Sequence, residues 1–138
     1  MKISPTIFYV DDDSDDLNFF KEASRQIGAT VELFDEGDKM LNALMNPPPQ
    51  ASVVFIDLNM PVKNGYDVLK EIKAKDNLRE IPVVILSTTN DSASISRSKS
   101  LGASYYIQKP TSMMKLKKDI EFVLDIDWSS PSVGFIHK

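Results

Sequence analysis

Ser52-Val53-Val54-Phe55-Ile56-Asp57-Leu58-Asn59-Met60-Pro61 is an apolar run that ends on a carboxylate. Residues 52–56 are β-branched or aromatic almost throughout, with no polar alternation. That is the pattern of a strand covered on both faces, as in a parallel sheet. Asp57 then stands just past the strand's carboxyl end, which is where open α/β sheets bind their ligands. Met60-Pro61 shape the turn beyond it.

Four more runs of the same character flank this one: Thr6–Val10, Thr30–Phe34, residues 83–86 and Tyr105–Gln108. Helical patterns separate them. Residues 15–27 place Leu17, Phe20, Ser24 and Ile27 on one face, with Gly28 as a C-terminal stop. Residues 38–45 predict a second helix, ended by Pro47-Pro48-Pro49. Residues 66–73 predict a third, with Val68, Leu69 and Ile72 on one side. Residues 113–124 predict the last, with Leu116, Ile120, Val123 and Leu124 inward and Thr111 or Ser112 as its cap. Ser92–Ser100 is the weakest, because serine competes for backbone hydrogen bonds inside helices. A helix is still expected there, since Gly102 supplies a stop and two parallel strands need a crossover. Five strands alternating with five helices predict a doubly wound α/β sandwich.

The chain has 138 residues, 42% hydrophobic and 26% charged, which suits one domain around one core. Its net charge of −4 argues against a nucleic-acid surface. Lys115, Lys117 and Lys118 read as the solvated side of the last helix. The absence of cysteine excludes disulfides, thiolate zinc sites and cysteine nucleophiles. There is no signal-peptide pattern and no membrane-length apolar run, so a soluble cytoplasmic protein is expected. Residues 125–138, with Pro131 and Gly134, read as an appendage too short for an output domain.

The chemistry collects at the strand ends. Asp11, Asp12 and Asp13 follow the first strand, Asp57 the third, Ser87 and Thr88 the fourth, and Lys109 the fifth. Carboxylates held this close repel, and a divalent cation relieves them. Oxygen ligands with open water positions suit Mg²⁺. A cation, an ammonium and a hydroxyl around a carboxylate nucleophile are what phosphoryl transfer requires.

In these residues the chain resembles the receiver domains of two-component response regulators, most of all the single-domain chemotaxis-regulator type. The matching residues are Asp11-Asp12, Asp57-Leu58-Asn59-Met60-Pro61 with Gly65 beyond, Ser87, and Lys109-Pro110. The resemblance implies a flavodoxin-like sheet in the order 2-1-3-4-5, with residues 1–124 as the receiver and residues 125–138 as an extension. It implies a switch and not a metabolic enzyme, with Asp57 phosphorylated by a sensor histidine kinase. Asp12, Asp57 and the Asn59 backbone carbonyl would hold Mg²⁺ (or Mn²⁺), and Asp11 would act through water. Ser87 and Lys109 would engage the phosphoryl group, and a cis peptide is usual before the proline matching Pro110. Tyr106 matches the aromatic position that rotates inward on activation. Thr88 replaces a smaller residue common there and is expected to crowd that rotamer. Asn59 and Thr89 occupy positions that tune phosphoryl lifetime. Output would come from an unidentified protein target, or from a homodimer through the fourth helix, fifth strand and fifth helix.

Other readings compete. Asp11-x-Asp13-x-Asp15 with Glu22 approaches a calcium-binding EF-hand loop, but Asp16 stands where that loop needs glycine. The same acids resemble haloacid-dehalogenase-type phosphatases, whose nucleophile lies on the first strand; here the order is reversed. A phosphate carrier in a relay would use the same site. Asp13 reads as a helix cap, His137 as partnerless, Trp128 as packed against the last helix, and Met60, Met113 and Met114 as core filler. Gly65 reads as a source of backbone freedom before the third helix.

Overall fold

A strand buried between two helical layers must be apolar at every position. β1 (Thr6–Val10), β3 (Val53–Ile56) and β4 (Val83–Ser87) meet that demand and form the centre of a five-stranded parallel sheet. The order is β2-β1-β3-β4-β5, with β2 (Thr30–Phe34) and β5 (Tyr105–Gln108) at the edges. The computed structural model describes residues 5–128 and residue 135. His137, Pro131 and Gly134 lie outside them. The full burial expected of every strand is only partial for β2, an edge strand whose Val31 and Leu33 pack into one layer and Phe34 into the other without being enclosed.

Alternate side chains enter opposite layers, as strand geometry dictates. Ile7, Tyr9, Phe55, Val84 and Leu86 meet α1 (Ser14–Gln26) and α5 (Met113–Asp125) through Phe20, Ala23, Leu116, Ile120 and Val123. Phe8, Val10, Val54, Ile56 and Ile85 meet α2 (Gly37–Leu44) and α3 (Gly65–Ala74) through Met40, Val68, Leu69 and Ile72. α4 (Ser92–Ser100) packs on this second side through the half-buried Ile95.

Four of the five helices begin on a side-chain cap, and α2, which follows Glu36, has none. Asp13 caps α1, accepting from the Asp15 and Asp16 amides at 2.8 and 3.1 Å. Asn64 and Asp67 form a reciprocal capping box on α3. Asp91 caps α4, and Ser112, not Thr111, caps α5. The serine-rich segment is helical, and Gly102 follows it at φ +103°, a conformation glycine adopts without steric cost. Among its nine residues only Ser98 is fully buried, its hydroxyl donating back to the Ser94 carbonyl at 2.9 Å.

Three local readings change. Met60 is buried as expected, but Met114 is 67% exposed, because its position on α5 faces water. Lys117 is half-buried and donates to Gln26 of α1 at 3.0 Å, and Lys115 pairs with the buried Asp119, so this lysine group is not simply solvated. Gly65 is not at positive φ. A Cβ there would collide with the Asp57 carbonyl oxygen and come within 2.7 Å of Leu58 Cα, so close approach is what requires glycine. Trp128 packs on the α1/α5 side, edge-on to Tyr105 with ring centroids 6.4 Å apart. No helix among the described residues is long and apolar enough to cross a membrane.

Candidate functional site

The sheet register assembles the site. Val10 pairs with Ile56, and Ser87 with Gln108, so the residues that follow emerge side by side. The pairing continues past the strands: the Asp57 amide donates to the Val10 carbonyl at 3.1 Å and the Lys109 amide to the Ser87 carbonyl at 2.8 Å. Asp11, Asp57 and Ser87 are buried at this rim, and Asp12 is exposed. One carboxylate oxygen from each of Asp11, Asp12 and Asp57 lies within 4.8 Å of the others. This three-acid cluster can hold a metal ion.

Lys109 reaches into the cluster from the end of β5. Its Nζ lies 2.7 Å from Asp11 Oδ2, 2.7 Å from Asp16 Oδ2 and 3.5 Å from Asp57 Oδ1. Burial alone would lower the Lys109 ammonium. Hydrogen bonds to Asp11 and Asp16, with the Asp57 charge, outweigh it and hold the ammonium above its usual range. Asp57 shows the opposite balance. Burial and the charge of Asp11 push its carboxyl up to about 7, despite the opposing influence of Lys109. Burial and the neighbouring Asp11 charge thus both disfavour an ionised Asp57, and a divalent cation at the cluster would relieve that cost.

The loop after β4 links this rim to β5. The Thr89 amide donates to Ser87 Oγ at 3.2 Å, and Asn59 Nδ2 donates to Thr89 Oγ1 at 3.1 Å. The Tyr106 hydroxyl donates to the Thr89 carbonyl, and its ring is 1% exposed. Tyr106 is thus already inward. Thr88 does not prevent this, because its side chain is exposed at the surface. The Lys109–Pro110 peptide is not cis; the cis bonds among the described residues are Pro47–Pro48 and Pro48–Pro49.

The model of the response regulator receiver domain matches residues 7–121. The chain belongs to that family. Accepting a phosphoryl group on an aspartate is the function of such receivers. Two-component response regulator ORR5 of Oryza sativa subsp. japonica is 36% identical over 107 residues, 78% of this receiver and 79% of that protein. Chemotaxis protein CheY1 of Helicobacter pylori is 28% identical over 118 residues, 86% of this chain and 95% of that one. Among solved structures, the phosphorylated cyanobacterial phytochrome response regulator RcpA superposes with a TM-score of 0.79 at 28% identity, covering 95% and 98% of the two chains.

Two residues of this receiver's rim escape a reading of the sequence. Asp16 shares Lys109 with Asp11, yet an acid in the first turn of a helix reads as a partner for the helix dipole. Tyr9 donates its hydroxyl to Asp11 Oδ2, yet an aromatic residue in a buried strand reads as core. The same Asp11 accepts from the Asp13 amide at 3.0 Å, so three donors fix it in place.

Proposed function

We propose that Asp57 is the phospho-acceptor of this receiver and that phosphorylation by a sensor histidine kinase switches its binding to another protein. The observation that carries this reading is the convergence of the Asp11, Asp12 and Asp57 oxygens within 4.8 Å, with Lys109 Nζ 3.5 Å from Asp57 Oδ1. An Asp57 oxygen attacks phosphorus, the bond from phosphorus to the donor's imidazole nitrogen breaks, and the electron pair leaves with that nitrogen.

Asp12, Asp57 and the Asn59 backbone carbonyl would hold Mg²⁺ (or Mn²⁺), with Asp11 acting through water. Such a cation, when bound, supplies the positive charge that the acid cluster lacks. Lys109 moves its hydrogen bonds from Asp11 and Asp16 toward the phosphoryl oxygens, and the Ser87 hydroxyl donates to them. Phosphorylation adds about −1.5 to −2 charges. Because Thr89 bonds to both Ser87 and Tyr106, movement of Ser87 changes what holds Tyr106. Asn59 and Thr89 set phosphoryl lifetime through their mutual hydrogen bond, and Thr88 is the exposed member of the same loop. Residues 1–124 act as the receiver and residues 125–138 as an extension, in the cytoplasm and without metabolic turnover. Output passes to a protein target or to self-association through α4, β5 and α5.

The coupling is tested by loading the chain with beryllofluoride and Mg²⁺ and following amide chemical shifts. The wild type should bind the anion and shift resonances in α4 and β5. Lys109→Ala should keep most Mg²⁺ affinity and lose most of the remote shift. Undiminished α4 and β5 shifts in a loaded Lys109→Ala protein would remove Lys109 from the pathway.

A further inference from the structure

At β5 the sheet ends, so the outward N–H groups of that strand need partners from elsewhere. The Tyr106 amide finds one in the Phe135 carbonyl, at 2.9 Å. Phe135 is half-buried and packs against the cluster that contains Tyr106, with Ile95 and Leu101 as fellow contributors from α4 and its cap. Lys99 Nζ, also from α4, lies 5.8 Å from the centroid of its ring. Backbone pairing, apolar contact and a cation over the ring thus coincide at one residue far from the strand in sequence. Tyr106 is held twice: its hydroxyl reaches the loop beside Ser87, and its backbone reaches Phe135.

We infer that the groove between α4 and the edge of β5 is a docking site for an extended segment with an aromatic anchor, and that Phe135 of the same chain occupies it before phosphorylation. This is strand-edge recognition, in which a main-chain carbonyl supplies register and a side-chain pocket supplies selectivity. A protein target that uses the groove must offer the same two elements and displace Phe135. The occupancy stands on these contacts alone. Its release on phosphorylation rests on the proposal that Asp57 is the acceptor, because the rim is linked to the groove through Thr89 and Tyr106.

Amide hydrogen exchange on the full chain tests both parts. Without phosphorylation, the Tyr106 amide should exchange slowly in wild type and at least about tenfold faster in Phe135→Ala, while the Ile85 amide inside the sheet stays unchanged. Wild type should also show through-space proton contacts from the Phe135 ring to the Ile95 and Leu101 methyls, at protein concentrations where sizing finds a single chain. Equal Tyr106 exchange in the two proteins, or no ring–methyl contact, overturns the occupancy. Contacts seen only between differently labelled chains overturn it as well, since they assign the groove to a second copy. Beryllofluoride with Mg²⁺ should then speed Tyr106 exchange in wild type. If fluorine resonances show the anion bound at Asp57 and exchange stays slow, release on phosphorylation is overturned. If the anion does not bind, the acceptor proposal fails instead, and the wild-type and Phe135→Ala comparison still decides the occupancy.

Discussion

α3 and α4 both rise from loops that carry site residues, and they are anchored in very different ways. α3 starts on a reciprocal capping box, buries Gly65, Val68, Leu69 and Ile72, and brings its first residue against the Asp57 backbone. α4 starts on one aspartate, buries only Ser98, and adds a cation–π contact from Arg97 to Tyr66 of α3, 4.0 Å from the ring centroid. The helix beside Asp57 is built to stay, and the helix beside the hydroxyl loop is built with little to lose by moving. A switch needs that inequality: a fixed place for the new charge, and an element near the low end of stability to report it.

The contrast breaks if the two helices respond alike to truncation. Leu69→Ala, at a site with no solvent exposure, should cost about 2–5 kcal/mol in denaturant titrations. Ile95→Ala, on the half-buried face of α4, should cost less than about 1.5 kcal/mol. Equal losses would mean that α4 is held as firmly as α3.

A second effect concerns the charge that α3 helps to hold. Asp57 binds its proton more tightly in the fold than in the unfolded chain, its carboxyl pushed up to about 7 by burial and Asp11. With metal removed, folding should therefore weaken as pH rises from about 4 to about 7, by up to roughly 3 kcal/mol. Asp57→Asn should flatten this slope, and Mg²⁺ should do the same in wild type. Thermal melts across that range, with chelator and with Mg²⁺, would show it. A slope unchanged by Asp57→Asn would assign the pH dependence to other groups.

Gly65→Ala sharpens the α3 side. The added methyl meets the Asp57 carbonyl and Leu58, so a loss of about 1–3 kcal/mol is expected, with amide shifts centred on residues 57 and 58. The α4 side has a smaller counterpart. Arg97 is exposed, and Arg97→Ala should cost only about 0.5–1 kcal/mol while raising amide exchange within α4.

Much of this architecture is legible in the residues. Strand identity, parallel pairing and the group at each strand end follow from apolar runs that stop at Asp11, Asp57, Ser87 and Lys109. The rest depends on distances that no spacing reveals. Gly65 excludes a Cβ through a contact with the Asp57 backbone, which resembles ordinary conformational freedom until the fold brings the two together. Asp16 meets Lys109 only because the fold brings the first turn of α1 beside the end of β5, and the Tyr9 hydroxyl reaches Asp11 from within the buried end of β1. Thr88, expected to crowd Tyr106, points to solvent because β4 ends one residue earlier, at Ser87. Phe135 touches Tyr106 through pairing at a sheet edge, where sequence carries no register signal.

The central claim is that Asp57 receives the phosphoryl group, and site mapping after phosphorylation addresses it most directly. Incubation with acetyl phosphate and Mg²⁺, followed by peptide mass spectrometry, should place a single acid-stable, base-labile phosphoryl adduct on the peptide that contains Asp57. Asp57→Asn should carry none. An adduct of equal yield on the Asp57→Asn chain, at Asp11, Asp12 or elsewhere, would contradict the account.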